Sequence, residues 1–371
     1  MRILHVITSL RVGGAERMVA ELLPRLRERG HQVELLLFDG TRSPLYDCVE
    51  QQGIPIYALG KGSWQMWNPL HGFRLRRFLN HERFDLVHAH NTPCQLLTAL
   101  AAPKKAPILV TTEHNTFNRR RRWRWYNGLD RWMYSKYHHI ACVGKMVKSK
   151  LMNELGRRFE SRVSVVPNGI DLNRFLHAVP DETLRQPVDV GKKIILMVAA
   201  FRAQKDHPTM LRALQYLSDD YRLWLVGDGP ERRSCETLAE ELHISSKVQF
   251  WGVQSDIARF FATADVIVLS SHYEGFGLAI VEGMAAGKTA IASDVDGLHE
   301  VVEGAGLFFP SGDDKQLAGL IRQVCEDRTY GLAVAARCRA RAMQYDIEQV
   351  VSAYVRIYND LILSNKREAY E

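Results

Sequence analysis

Two glutamates, Glu274 and Glu282, are separated by seven residues in the stretch SSHYEGFGLAIVEGMAAG, residues 270–287. The apolar run DVIVLSS ahead of them has the composition of a buried parallel strand, and LAIVEGMAA that of a helix. Gly275 and Gly277 therefore fall at a strand-to-helix corner, where the first backbone N–H groups of the helix face an anion. Glu274 is expected on the loop and Glu282 about two turns into the helix, an arrangement that suits one carboxylate near a sugar ring and another near a ribose diol. A solvated loop acid and a helix-face acid are the alternative for the same two residues.

Four more polar groups lie where strands are expected to end, which is where open α/β sheets hold ligands. The loop Gly13, Gly14, Ala15, Glu16, Arg17 allows close approach to its backbone, but it misses the G-x-G-x-x-G spacing and the following acid of a dinucleotide site. It reads as a ligand loop or as a plain tight turn. His90 closes DLVHAH with His88 two residues earlier on the same strand face, and His114 follows PILVTTE. A histidine at such an edge hydrogen-bonds a sugar hydroxyl, holds a proton in transit, or simply packs. Zinc is disfavoured because no third ligand stands at a sensible spacing. In FRAQKDH, Arg202 and Lys205 supply cations able to neutralise a diphosphate leaving group; solvated loop charge is the alternative. VGDGPER, with Gly227, Asp228, Gly229 and Glu231, and FWG at 250–252, with Trp251, would line the base and ribose side of the same cleft, with a purely structural role as the alternative.

These groups must be positioned by two successive runs of alternating strand and helix. RILHVITSL, MVAELLPRLRERG, QVELLLF, FDLVHAH and PILVTTEH make the first. After a turn at Pro167, Asn168 and Gly169, the pattern restarts with KKIILMVAAF, HPTMLRALQYL, RLWLVGDG, ERRSCETLAEELH, KVQFWG, DVIVLSS and TAIASD. The expectation is an α/β protein of two Rossmann-like, doubly wound domains facing across a cleft, residues 1–168 and residues 169–345, with a helix at about 346–371 packing back on the first domain.

A chain of 371 residues with 46% hydrophobic and 25% charged residues suits a folded soluble protein of about two domains. MRILHVITSL reads as a first strand rather than a secretory leader, and no stretch has the roughly 18–20 apolar residues of a spanning helix. Six cysteines without metal-ligand spacing read as reduced thiols of a cytoplasmic protein. Net charge is +7, yet residues 1–169 carry 27 Lys and Arg against 13 Asp and Glu, so an anionic partner meets the first half. Within it, NRRRRWRWYNGLDRWMYSKYHH (118–139) combines Arg119 to Arg122, Arg124 and Arg131 with Trp125, Leu129, Trp132, Met133 and Tyr137 at helical intervals. The segment 118–138 is a candidate contact to an anionic membrane surface, with core packing of the stripe as the alternative. Nucleic acid is not expected as a partner, because no recognition module accompanies the charge.

Taken together, GGAER, DLVHAH, VVPNGID, FRAQKDH, LVGDGPER, FWG and EGFGLAIVEGMAAG resemble the retaining glycosyltransferases of family 4, which have the GT-B fold. The similarity covers nearly the whole chain in the family's order. It implies a nucleotide-sugar donor, a UDP- or GDP-sugar held mainly by the second domain, a glycan or lipid-linked glycan acceptor held mainly by the first, no required metal and no separate cofactor. By motif, Glu274 would contact the donor sugar, Glu282 the ribose hydroxyls, Gly277 and Leu278 the sugar and diphosphate through backbone N–H groups, Lys205 and Arg202 the diphosphate, and His90 the reacting sugar. Gly14 would approach the donor from the other domain. One position departs from the family pattern: the arginine that many members place five residues before the lysine is Ala200 here, which leaves Lys205 the firmer assignment and Arg202 the weaker. The rival readings are a sugar-nucleotide epimerase or hydrolase of the same fold, a transferase using a soluble acceptor, and a non-catalytic sugar-nucleotide binder.

Overall fold

A computed structural model describes residues 1–11, 13–62, 64–65, 68–103, 107–114 and 126–368. The chain divides into two units, Met1–Gly169 with Ile347–Glu371, and Ile170–Asp346. In the first unit seven strands, β1 (Arg2–Ile7), β2 (Gln32–Leu37), β3 (Ile56–Ala58), β4 (Leu86–His90), β5 (Ile108–Glu113), β6 (His139–Cys142) and β7 (Val163–Val165), form one sheet in the order β3-β2-β1-β4-β5-β6-β7. Every pairing is parallel. The near-continuous burial of β1, β2, β4 and β5 is what a parallel sheet covered on both faces demands. Strand order reverses between β1 and β4, so a ligand-sized crevice is expected at their carboxyl ends.

Helix Ile347–Glu368 belongs to this first unit. It packs on helix Gly14–Glu28, where Arg25 and Arg29 both pair with Glu348. Tyr354 and Tyr358 are buried against the sheet, sharing hydrogen bonds with Thr112 Oγ1 at 2.8 Å and His88 Nδ1 at 2.6 Å. A helix distant in sequence thus closes one face of the first sheet, with Tyr354 and Tyr358 joining its apolar cluster.

The basic aromatic segment differs from the single amphipathic helix that its spacing suggests. Helix Tyr126–Ser135 ends before β6 begins at His139. Met133 and Tyr137 are fully buried, and the Tyr137 hydroxyl donates to the Gln95 carbonyl at 2.6 Å, so these two stripe residues are core. Trp132 remains partly exposed, Leu129 is half-buried, and Arg131 donates to the Glu154 carbonyl. Arg119 to Arg122, Arg124 and Trp125 lie outside the described residues.

The second unit holds β8 (Lys193–Val198), β9 (Tyr221–Val226), β10 (Val248–Gly252), β11 (Val266–Leu269), β12 (Thr289–Ser293) and β13 (Leu307–Phe309), again all parallel, in the order β10-β9-β8-β11-β12-β13. Here the reversal falls between β8 and β11. All six cysteines are free thiols and four of them are buried. Among the described residues no helix is long and apolar enough to cross a membrane.

Candidate active site

The loops that leave β8 and β11 meet at the carboxyl edge of the second sheet, at its switch point. Lys205, the last residue of the 3-10 turn Ala203–Lys205, forms an ion pair with Glu274, and the Ser271 hydroxyl donates to the same carboxylate oxygen at 3.0 Å. Glu274 is 6% exposed, so its charge sits in low dielectric and is held by a cation and a hydroxyl. The loops are laced together around this pair. Ser270 donates to the Asp206 carbonyl at 2.9 Å, Gln204 Nε2 to the Tyr273 carbonyl at 2.8 Å, and the His272 N–H to the Gln204 carbonyl at 2.9 Å. Asp206, left-handed at φ 50°, caps helix His207–Leu214 by accepting from the Thr209 backbone N–H at 3.4 Å, and its other carboxylate oxygen accepts from Thr209 Oγ1 at 2.6 Å. Two loops 69 residues apart in sequence therefore present one fixed cation–carboxylate pair.

Arg202 is also in this loop, but its side chain is exposed and makes no ion pair among the described residues. Of the two cations, Lys205 is held by Glu274, and Arg202 has no such ion pair among the described residues. Gly277 is the N-cap of helix Leu278–Ala285 with φ 87°, a backbone conformation that favours glycine, and a Cβ there would stand 2.4 Å from a terminal methyl of Leu298, which would have to shift. Leu278 then opens the helix, where backbone N–H groups lack intrahelical partners. Because the helix starts at Leu278, Glu282 stands one turn into it rather than two, and it is almost completely buried. Gly229 has a backbone role visible in the protein itself: a Cβ would stand 2.4 Å from the Phe201 carbonyl oxygen, and Phe201 N–H donates to the Asp228 carbonyl at 3.0 Å. Trp251 is half-buried edge-on to Trp224 and Phe260 at 5.6 and 5.0 Å, which makes it a wall of the apolar core beside β9 and β10.

In the first unit the histidines gather at the other switch point. His5 of β1 lies directly opposite His88 of β4 in the strand register, and His90 is two residues further along. His5 Nδ1 lies 3.0 Å from His90 Nε2, and His90 Nδ1 lies 3.3 Å from His114 Nε2. His88 is occupied by Tyr358 and by Thr112 Oγ1 at 2.8 Å. Burial pushes His5 down to about 3 and His114 down to about 4, and holds His88 and His90 well below the usual imidazole range, so all four are neutral at pH 7. Neutral imidazoles have one donor and one acceptor, so His5, His90 and His114 form a chain with a single hydrogen-bond direction.

His90 is completely buried between His5 and His114, whereas His114 is 8% exposed and is the outermost of the chain. The position nearest solvent is therefore His114, one strand over from the residue that the motif points to. His5 is a third histidine that spacing does not reveal, because it sits in mid-strand and joins the group only through the pairing of β1 with β4. Ligand atoms of His5, His88 and His90 all lie within 4.8 Å, yet the rings of His5 and His90 stack at 13° and those of His88 and His90 lie 4.1 Å apart at 30°. The facing nitrogens of His5 and His90 are engaged with each other, and both nitrogens of His88 with Tyr358 and Thr112, so the rings spend their lone pairs on hydrogen bonds rather than on a common ion. Gly14, on the neighbouring loop, is the first residue of helix Gly14–Glu28, where backbone N–H groups lack intrahelical partners.

Residues 181–344 match the family Glycosyl transferases group 1, and residues 12–174 match Glycosyltransferase Family 4. The chain belongs to these glycosyltransferases. This family 4 chain is similar to the lipopolysaccharide core biosynthesis glycosyltransferase LpsD of Rhizobium meliloti (strain 1021), with 28% identity over 88% of the chain and 89% of the relative. It is also 28% identical, over 61% of its length and 62% of the relative's, to N,N'-diacetylbacillosaminyl-diphospho-undecaprenol alpha-1,3-N-acetylgalactosaminyltransferase of Campylobacter jejuni. Among solved structures, Anabaena HepE in complex with UDP-glucose superposes with a TM-score of 0.86 at 21% identity, over 97% of this chain and 100% of that one, a likeness of fold. Two Rossmann-like sheets of the GT-B class are what the family assignment and the topology share.

Proposed function

We propose that this glycosyltransferase moves a sugar from a UDP- or GDP-sugar to a hydroxyl of a lipid-linked glycan in cell-surface polysaccharide synthesis, with retention at the anomeric carbon. The observation that carries the reading is the Lys205–Glu274 pair fixed at the switch point of the second sheet. The UDP-glucose bound by HepE supports a nucleotide-sugar donor, and the undecaprenol-linked substrate named for the Campylobacter relative supports the acceptor class.

In this reading the donor's diphosphate approaches the N–H groups of Gly277 and Leu278 and draws on the charge of Lys205, with Arg202 assisting from solvent. Glu274 grips a sugar hydroxyl and Glu282 lies toward the ribose diol, with Gly229 and Trp251 shaping the base side. The bond from the anomeric carbon to the diphosphate oxygen breaks, the electron pair leaves on the diphosphate, and that oxygen takes the proton of the acceptor hydroxyl as the hydroxyl attacks the same face. Lys205 is the cation that answers the departing charge, so the step as drawn needs no metal. The neutral histidine chain offers its outer member, His114, as a hydrogen-bonding group to the reacting sugar, with His90 and His5 fixing its tautomer, and Gly14 approaches the donor. The reaction is expected in the cytoplasm, at the inner face of the membrane that carries the acceptor; the segment 118–138 is retained as a candidate contact.

The test is a panel of UDP- and GDP-sugars with a lipid-linked acceptor, followed by NMR of the product's anomeric proton. Retained configuration is expected. Inversion, or trapping of a glycosyl-enzyme on Glu274, overturns the mechanism. Hydrolysis or epimerisation of the donor at full rate without acceptor would favour the epimerase or hydrolase reading.

A further inference from the structure

Helix Leu70–His81 lies between β3 and β4 of a parallel sheet, so it runs back from the carboxyl edge to the amino edge. Its first turn therefore stands at the edge that carries His90 and His114. That turn exposes Leu70 at 60% and Phe73 at 73%, and Trp64 just ahead of it at 71%. These are not displaced core residues, because the helix already buries a separate stripe of His71, Leu75 and Leu79. The exposed stripe continues at helical spacing from Leu70 and Phe73 to Arg77, with Arg76 beside it. Arg76 and Arg77 are exposed and make no ion pair among the described residues, while Arg74 donates to the Leu59 carbonyl. Residues 61–81 hold Lys61 and three arginines and no acid, and add Met66 and Trp67, which lie outside the described residues.

We infer that this face, Trp64, Leu70 and Phe73 with Arg76 and Arg77, docks the protein on an anionic lipid surface. Large apolar side chains left in water beside unpaired arginines suit the boundary between headgroups and acyl chains, where aromatic rings and cations each gain. A soluble partner would need a matching acidic rim as well as an apolar socket; an anionic bilayer supplies both at once. Docking here turns the carboxyl edge of the first sheet toward the bilayer. The inference needs only this surface and stands without the transferase reading, although it would bring a lipid-linked acceptor to the edge where that reading expects it.

The experiment is co-sedimentation of the full-length protein with vesicles of phosphatidylcholine alone or with phosphatidylglycerol, comparing wild type, Leu70→Ser/Phe73→Ser and Arg76→Gln/Arg77→Gln, each checked by circular dichroism. Wild type is expected on the anionic vesicles. The arginine variant should weaken binding on the order of 25-fold, about fivefold for each charge removed. The apolar variant should lose the binding that survives high salt. As a readout independent of variant folding, a dye on Phe73→Cys should shift to the blue on anionic vesicles. No binding by wild type, equal binding by both variants, or a dimer in solution that Leu70→Ser/Phe73→Ser dissolves would overturn the inference. Donor turnover with a short soluble acceptor should be unchanged in both variants, so failure of docking and failure of the transferase reading give different results.

Discussion

Acidification should destabilise the first unit through its buried imidazoles, and His5 allows the effect to be worked through. Its folded-state pKa is depressed to about 3 by burial, while in the unfolded chain it returns to the ordinary value near 6.5. A depressed pKa means that the unfolded chain binds a proton that the folded one refuses. The corresponding stability is complete above pH 6.5 and is lost as pH falls toward the folded value. Between pH 6.5 and 5 that is about 1.5 pH units at 1.36 kcal/mol each, or about 2 kcal/mol from His5 alone. His114, depressed to about 4, loses about as much over the same interval. Against a typical domain stability of about 5–15 kcal/mol, two such groups are a large share.

The assay is urea denaturation at pH 7.0, 6.0 and 5.0, followed by circular dichroism, in wild type and His5→Gln. Glutamine cannot bind the proton, so the plot of stability against pH should be shallower below pH 6.5 by about 1.4 kcal/mol per pH unit. An identical slope in the variant would refute the reasoning, because it would mean that His5 accepts its proton in the folded state.

Three other perturbations test particular contacts. Gly227→Ala would place a Cβ 2.1 Å from the Ala199 carbonyl oxygen at a residue with φ 140°, and should cost about 3 kcal/mol, read as a lowered Tm of the second unit. Tyr358→Phe leaves His88 Nδ1 without its hydroxyl in a fully buried place and should cost about 2 kcal/mol in urea denaturation; a neutral result would show that the C-terminal helix is not held there. Met133→Ser should destabilise by about 3 kcal/mol, since its side chain is core; unchanged stability would restore it to a surface stripe.

Much of the fold could be read from the chain because β8, β11 and β12 are apolar runs bounded by glycine and polar turns, and β1, β2, β4 and β5 follow the same rule. The three-residue strands β3, β7 and β13 are too short to show a period, and β6 follows a polar YSKYHH run that blends into the helix before it. Lys205 and Glu274 were each legible as polar residues past a strand's end, but their contact depends on β8 lying beside β11, and strand order is a tertiary property with no local trace. The same limit hid His5, whose partners come from register. Register likewise decides that His90 lies buried between His5 and His114. Along 126–139 the helical spacing of aromatics was real, but periodicity does not say which face of a helix is covered.

The central claim is that Lys205, set by Glu274, answers the charge of the departing diphosphate. It is tested most directly by donor kcat/KM in Lys205→Met, Arg202→Met and Lys205→Met/Glu274→Gln, the last removing the buried carboxylate's need for a partner. A loss on the order of 100-fold is expected in both enzymes lacking Lys205, even where the double variant regains wild-type thermal stability, with less than about tenfold in Arg202→Met. Wild-type kcat/KM in Lys205→Met would contradict it.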